Sequence, residues 1–387
     1  MVDSARDRGG RPRVLVVVGT RPEAIKMAPV VRALRRPEGT TDATLLLSGQ
    51  HSSLVRDILE ELGLEADHDL AIMREGQSLY DVARRCMEGL CEEVRARRPD
   101  MVLVQGDTAT VFFSSLVGFF EQVAIGHVEA GLRSGDLRSP FPEEGFRRLT
   151  GVLADLHFAP TEEARKNLLR EGVPRGRIHL TGNPVVDALL AIADQEYPPS
   201  EPALVGLLEG TSPFILLTAH RRESFGPGLQ RAFGAVLQLL EEEPDLHVIY
   251  PVHPNPRVSE PARELLGPHP RVHLVPPLGY RDLALALRSA ALVLTDSGGI
   301  QEEAPTFGTP VLVLREVTER PEGVRAGVAR LVGTDPALIV PAAREVLAEP
   351  ATERRRRRGR NPYGDGEAGL RIARAVEAFL AGEEAGG

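Results

Sequence analysis

Acidic and imidazole side chains recur in this chain directly after short apolar runs. Asp107 follows Met101 to Val104 within Gln105-Gly106-Asp107-Thr108, and Glu129 follows Val123 to Gly126 within His127-Val128-Glu129. Glu143 stands a little further on, in Pro142-Glu143-Glu144. His220 follows Phe214 to Leu217, and His253 follows His247 to Tyr250. Carboxylates and imidazoles act as general acids and bases when held against a substrate. An aspartate in such a place also serves as a helix cap, and a lone histidine at a strand end is commonly structural. A second chemistry is written in Gly19-Thr20-Arg21-Pro22-Glu23-Ala24-Ile25-Lys26, where Arg21 and Lys26 can face an anion, and in Asp296-Ser297-Gly298-Gly299. The glycines there leave the backbone N–H groups unobstructed, so the first turn of the next helix can seat an anion such as a diphosphate. Glu302 and Glu303 follow within a turn, and a carboxylate beside phosphate is better suited to accept from a neutral diol such as a ribose.

Placing these groups requires strands that end together. Apolar runs at Arg13 to Val18, Thr44 to Leu47, Met101 to Val104, Val123 to Gly126, Leu156 to Ala159 and Ile178 to Leu180 form one series separated by helical patterns. Phe214 to Leu217, His247 to Tyr250, Val272 to Val275, Leu292 to Thr295 and Val311 to Leu314 form a second. Near-continuous apolar strands alternating with helices predict parallel sheets covered on both faces. The expected fold is therefore α/β, with two doubly wound Rossmann-like domains facing a cleft. The proline- and glycine-rich stretch Asp194 to Pro213 marks the boundary, which predicts domains over residues 1–193 and 194–366. The helical stripe of Leu370 to Leu380 predicts that residues 367–387 cross back to the first domain. In such sheets ligands bind beyond the carboxyl ends of the strands, where the clusters lie, and seven of them converging on one cleft are hard to explain as packing.

Composition narrows the classes. The chain has 387 residues, 42% hydrophobic and 26% charged, with a net charge of −9. That length suits two domains, and the charge argues against a nucleic-acid binder. The basic run Arg354 to Arg358 reads as a solvated helix face. No apolar run reaches the length of a membrane span and the N-terminus lacks a signal-peptide core, so a cytoplasmic protein with no membrane partner is expected. Cys86 and Cys91 are spaced for neither a bridge nor a metal pair and are expected as reduced thiols. Only Lys26 and Lys166 are lysines, and a lysine kept where arginine dominates suits a task that the wider guanidinium cannot perform. GxxxxGKS/T and GxGxxG are both missing, which excludes a P-loop enzyme and the dinucleotide fingerprint. The histidines lack HExxH spacing or cysteine companions, so no metal and no cofactor is expected. Asp296-Ser297-Gly298-Gly299 is superficially like the active-serine segment of chymotrypsin-like proteases, but it opens a helix in an α/β chain.

Taken in order, GTRPEAIKMAPV, QGDT, HVEAGLRSGDL, FPEE, TGNPVVDAL, HRRESFG, PVHPNP, DSGGIQEEAP and TERPE form a long and specific set. The chain resembles the non-hydrolysing UDP-N-acetylglucosamine 2-epimerases from about Val14 to the NPYGDG turn. The resemblance implies a GT-B type glycosyltransferase fold and inversion at C2 of UDP-GlcNAc to give UDP-ManNAc, by anti elimination of UDP to 2-acetamidoglucal and re-addition. It implies Asp107, Glu129 and Glu143 as candidate base and acid, without assigning which is which, and His220 as the essential histidine. Arg21 and Lys26 match residues near the phosphates, Ser297, Gly298 and Gly299 the diphosphate turn, Glu303 the ribose carboxylate, and Arg320 a further UDP contact. Leu278, in Pro277-Leu278-Gly279-Tyr280, matches the loop that holds uracil, and Leu283 stands where many relatives carry an aromatic. Gln50, Gln77 and His253 fit the allosteric substrate site of bacterial members, with Ser53 and Gly76 in place of bulkier polar contacts. Phe146 stands where the usual motif has asparagine, and Ala219 where glycine commonly precedes the histidine. The family further implies a homodimer serving cell-surface polysaccharide biosynthesis. An inverting UDP-sugar glycosyltransferase, a hydrolysing 2-epimerase and a non-catalytic nucleotide-sugar sensor are the alternatives.

Overall fold

The computed structural model describes residues 10–49, 52–72, 76–195, 198–221 and 224–382. The chain divides into two compact units, Met1–Ala188 with Tyr363–Gly387, and Leu189–Pro362.

Unit one is built on strands β1 (Arg13–Val18), β2 (Asp42–Leu47), β3 (His68–Asp69), β4 (Met101–Gln105), β5 (Ala124–Val128), β6 (Leu156–Ala159) and β7 (Ile178–Leu180). Helices α1 (Arg21–Leu34), α2 (Ser52–Glu61), α3 (Leu79–Arg97), α4 (Ala109–Phe120), α5 (Glu143–Leu153), α6 (Glu162–Arg170) and α7 (Pro184–Ala193) connect them. The sheet order is β3-β2-β1-β4-β5-β6-β7, with every pairing parallel. β1 is buried from Val14 to Val18 and β4 along its whole length, as strands covered on both faces must be. The order reverses between β1 and β4, which makes the loops after these two strands the expected ligand position.

Unit two repeats the pattern with β8 (Phe214–Thr218), β9 (His247–Pro251), β10 (Val272–Val275), β11 (Leu292–Thr295), β12 (Val311–Val313) and β13 (Ala329–Leu331). Its helices are α8 (Pro202–Glu209), α9 (Pro227–Glu242), α10 (Pro256–Leu265), α11 (Tyr280–Ser289), α12 (Gly298–Glu303), α13 (Pro321–Arg325), α14 (Pro336–Leu347) and α15 (Ala351–Arg358). The order β10-β9-β8-β11-β12-β13 is again all parallel and reverses between β8 and β11. The core lies between this sheet and its helices, where Leu217, Phe233, Val236, Tyr250, Leu294 and Ile339 are almost wholly buried.

All eleven expected strands are present within two residues of their expected ends. The two that escaped, β3 and β13, are two and three residues long at sheet edges and carry no apolar run to betray them. From residue 198 onward the 194–213 stretch is more ordered than a linker. It contains α8, and Ser200 and Glu201 donate their backbone N–H groups to the buried Asp282 at 3.1 and 3.0 Å, tying the stretch to α11 of unit two. The division falls inside α7 and after Pro362, a few residues from the expected 193/194 and 366/367. The last helix, α16 (Ala368–Ala381), belongs to unit one and packs on α1. The basic run is also less solvated than expected. Arg354 donates to the carbonyls of Ala290 at 3.1 Å and Phe307 at 3.4 Å and to Thr309 Oγ1 at 2.7 Å, tying the helical ends on which these residues lie to α15.

Both cysteines are free thiols, and burial pushes Cys86 up to about 12, as an inert core thiol requires. Among the described residues no helix is long and apolar enough to cross a membrane. Nor does any group of three or more His, Cys, Asp or Glu side chains among them have the geometry to hold a metal ion.

Candidate functional site

The unit-one candidates stand on the loops after β1, β4 and β5. Glu129, the first residue beyond β5, has a left-handed φ of 62° and is 8% exposed. A non-glycine residue in that conformation is uncommon and marks a position fixed by its surroundings. Its surroundings are donors: Lys26 Nζ of α1 reaches Oε1 at 2.6 Å, Asn183 Nδ2 reaches the same oxygen at 3.1 Å, and Gln105 Nε2 from the end of β4 bonds Oε2. Lys26, expected near phosphates, is thus the ion-pair partner of Glu129. Arg21 opens α1, half-buried.

Asp107 is no helix cap. Thr108 caps α4 by accepting from Val111 N, while Asp107 pairs with Arg147 of α5. Arg147 also reaches Glu144 at 3.2 Å. Glu144 is fully buried and accepts Ser134 N at 3.0 Å and Arg148 Nε at 2.9 Å, so it anchors the loop after β5. Glu143, its neighbour, is half-buried at the first position of α5. Phe146 stacks on Phe112 at 5.3 Å, with Phe113 edge-on to it at 6.1 Å. The residue standing where the family has asparagine has joined the core beneath α4 and α5.

Two further groups set these loops. Glu23 is 2% exposed and accepts Gly19 N at 2.6 Å, Thr20 Oγ1 at 3.0 Å and Thr108 Oγ1 at 2.8 Å, bracing the loop after β1 against the loop after β4. Burial pushes its carboxyl up to about 7 against those donors. His127 donates Nε2–H to Gly106 O at 2.8 Å, and burial holds it down to about 3, so it is a neutral structural residue beside Asp107.

In unit two, His220 follows β8 and Asp296 follows β11. The buried Asp296 accepts the backbone N–H groups of His220 and Arg221, each at 2.8 Å, and its other oxygen lies 3.8 Å from His220 Nδ1. Burial pushes the His220 imidazole down while Asp296 pulls it up; His253 and Arg221 press it down further. Burial likewise pushes the Asp296 carboxyl up, against the donors that face it. His253, which fits the allosteric site of the resemblance, stacks on His220 with ring centres 5.5 Å apart and planes 16° from parallel. Gln77 donates to Ile72 O at 3.0 Å in unit one, and Gln50 lies outside the described residues.

A helix starts at the glycine turn, as expected. Helix α12 starts at Gly298 itself after an extended Ser297, and neither glycine needs a positive φ. A Cβ at Gly298 would make only an ordinary contact, 3.5 Å from Arg221 Nη2, so the space around it does not demand glycine. Arg320 pairs with the buried Glu302, and Glu303 is the more exposed of the two adjacent carboxylates. Leu278 is buried just before α11, and Leu283 is half-buried within it.

Sequence reasoning did not single out Glu23, Gln105, Arg147, Asn183 or Asp296, although all five lie in or beside the quoted motifs. The signal available was polarity where strands and helices should be apolar; their distant partners, 85 residues away for Glu23, 24 for Gln105 and 76 for Asp296, were not readable.

A family model described as UDP-N-acetylglucosamine 2-epimerase matches residues 32–377. The UDP-N-acetylglucosamine 2-epimerase of Yersinia pestis is 46% identical over 370 residues, 94% of this chain and 98% of that one. A crystal structure from Listeria monocytogenes superposes with a TM-score of 0.89 at 44% identity, covering 97% of this chain and 99% of that one. The UDP-GlcNAc 2-epimerase of Neisseria meningitidis, solved bound to UDP-GlcNAc, superposes with a TM-score of 0.82 at 38% identity, covering 94% and 99%. The family model, the sequence identity and the structural likeness over more than nine-tenths of the chain agree, and the chain belongs to the UDP-N-acetylglucosamine 2-epimerase family.

Proposed function

We propose that the protein interconverts UDP-GlcNAc and UDP-ManNAc by anti elimination and re-addition of UDP, without releasing free ManNAc. The C2 hydrogen is weakly acidic, so its removal needs a positioned base, and return of a proton from the opposite face needs a positioned acid. A carboxylate takes the C2 proton, the electron pair forms the C1–C2 double bond of 2-acetamidoglucal, and the C1–O bond breaks to release UDP. A second group then delivers a proton to the other face while a β-phosphate oxygen of UDP re-adds to C1. Asp107, Glu129 and Glu143 carry the proton transfers. The observation that supports this reading most is three carboxylates on the loops after β4 and β5 and at the start of α5, with Glu129 already oriented by three donors.

His220 and Arg221 meet the departing diphosphate. Charge that develops there favours the imidazolium, opposing the desolvation that pushes the His220 imidazole down. Ser297, Gly298 and Gly299 seat the diphosphate, Glu303 the ribose, Leu278 and Leu283 flank the base, and Arg21 and Arg320 make further polar contacts.

Incubation with UDP-GlcNAc in D2O, followed by NMR, tests the reaction. UDP-ManNAc bearing deuterium at C2 is the expected product. Free ManNAc with UDP would instead identify a hydrolysing enzyme, turnover only with an added acceptor a glycosyltransferase, and binding without turnover a sensor.

A further inference from the structure

We propose that Asn183 is a positioning residue for Glu129 and that the returning C-terminal segment, Tyr363 to Gly369, is the clasp that holds it there. The inference rests on the reading of Glu129 as a proton-handling carboxylate. Asn183 is 1% exposed and its polar groups are committed in three directions. Its Oδ1 accepts Val185 N at 3.1 Å, capping α7; its backbone N–H donates to Tyr363 O at 2.6 Å; its Nδ2 donates to Glu129 Oε1 at 3.1 Å. Because the cap demands the amide oxygen, the amide nitrogen is left facing Glu129, and the orientation of the side chain is fixed by its network.

The clasp explains two motifs that the reaction itself does not use. In TGNP, Gly182 has φ 86°, and a Cβ there would sit 3.1 Å from Gly364 Cα and 3.3 Å from Tyr363 O. In NPYGDG, Gly364 has φ 143°, and a Cβ there would sit 3.4 Å from Asn183 N. Two glycines thus let the backbones approach closely enough for the Asn183–Tyr363 bond. The segment then turns into α16, whose start is held by Gly369 N donating to Asp187 Oδ1 at 2.8 Å. A Cβ on Gly369 would lie 2.8 Å from Pro29 C, so α16 rests directly on α1, the helix that carries Lys26. Both donors to Glu129 Oε1 are therefore seated by the C-terminal return of the chain. A residue serving only as a cap would need an acceptor, which aspartate and serine supply equally well; only the donor to Glu129 calls for asparagine.

Asn183→Asp separates these roles, because it keeps the capping oxygen and the shape while replacing the donor with a second carboxylate oxygen. The expected result is a kcat lower by about 100-fold with KM within about threefold, C2 deuterium exchange falling in parallel and the thermal transition retained. Gly364→Ala, which loosens the clasp without touching Glu129, is expected to lower kcat about 10-fold, again with KM held. Wild-type kcat in Asn183→Asp overturns the inference; should that variant fail to fold, wild-type kcat in Gly364→Ala overturns it. Glu129→Gln is the control for the underlying reading. Full C2 exchange in Glu129→Gln would remove Glu129 from the proton chemistry, whereas loss of exchange there with none lost in Asn183→Asp would sink only the role of Asn183.

Discussion

At the switch point of unit one, between β1 and β4, the first turn of α1 carries Glu23 and the loops carry Asp107 and, one strand over, Glu129, each accepting hydrogen bonds from its neighbours. At the switch point of unit two, between β8 and β11, the matching loops carry His220, Arg221 and the glycine turn, and a carboxylate there, Asp296, is buried beneath them accepting backbone N–H groups. The strand orders β2-β1-β4-β5 and β9-β8-β11-β12 are the same. Topology therefore decides where ligands are met, and the side chains just beyond the strands decide what is done to them. An acceptor-rich set suits proton transfer, and a set with imidazole, guanidinium and open backbone suits a diphosphate.

Asp107→Asn tests this contrast hardest. C2 exchange is expected to fall about 1000-fold while UDP affinity, measured by calorimetry, stays within about twofold; affinity lost together with exchange would show that the roles are not separable. On the other side, His220→Asn is expected to lower kcat about 100-fold, because it removes a group that can become cationic as the diphosphate departs. An unchanged kcat would leave that role to Arg221.

Glu23→Gln probes the brace between the two unit-one loops. Folding raises the Glu23 carboxyl from 4.5 to about 7, so the folded state binds its proton more tightly than the unfolded state does. The associated stability is fully present below the unfolded value and is lost as pH rises through about 7. Relative to wild type, Glu23→Gln should gain on the order of 2 kcal/mol between about pH 4.5 and 7.5 in urea unfolding. A stability difference that is flat with pH would contradict the burial of a titrating group there. The smallest effect on catalysis is expected at Phe146→Asn, which removes the stack on Phe112 and its packing on the core and costs about 3 kcal/mol of stability, with kcat changed less than about threefold. A larger change in kcat would mean that Phe146 shapes the position of Glu143.

Much of this architecture is legible in the sequence, for a physical reason. Strands buried on both faces must be apolar throughout, so β1, β4 and β11 announce themselves, and the residues after them mark the site. Contacts closed by the fold are not legible there. Glu129 draws its donors from α1, β4 and the start of α7, 24 to 103 residues away, and no local pattern encodes that convergence. Glu143 and Glu144 are adjacent and chemically alike, yet α5 turns one into the core and leaves the other half-buried. His127 and His220 both follow apolar runs, and only burial separates the neutral strut from the candidate catalyst.

The central claim, that UDP leaves C1, is retained and re-adds, can be read from the bridging oxygen between C1 and the β-phosphorus. UDP-GlcNAc labelled there with oxygen-18 should lose the label from the bridge to the non-bridging β-phosphate positions as UDP-ManNAc forms, because the freed phosphate rotates before re-addition. Label that stays wholly in the bridge while C2 inverts would contradict elimination of UDP.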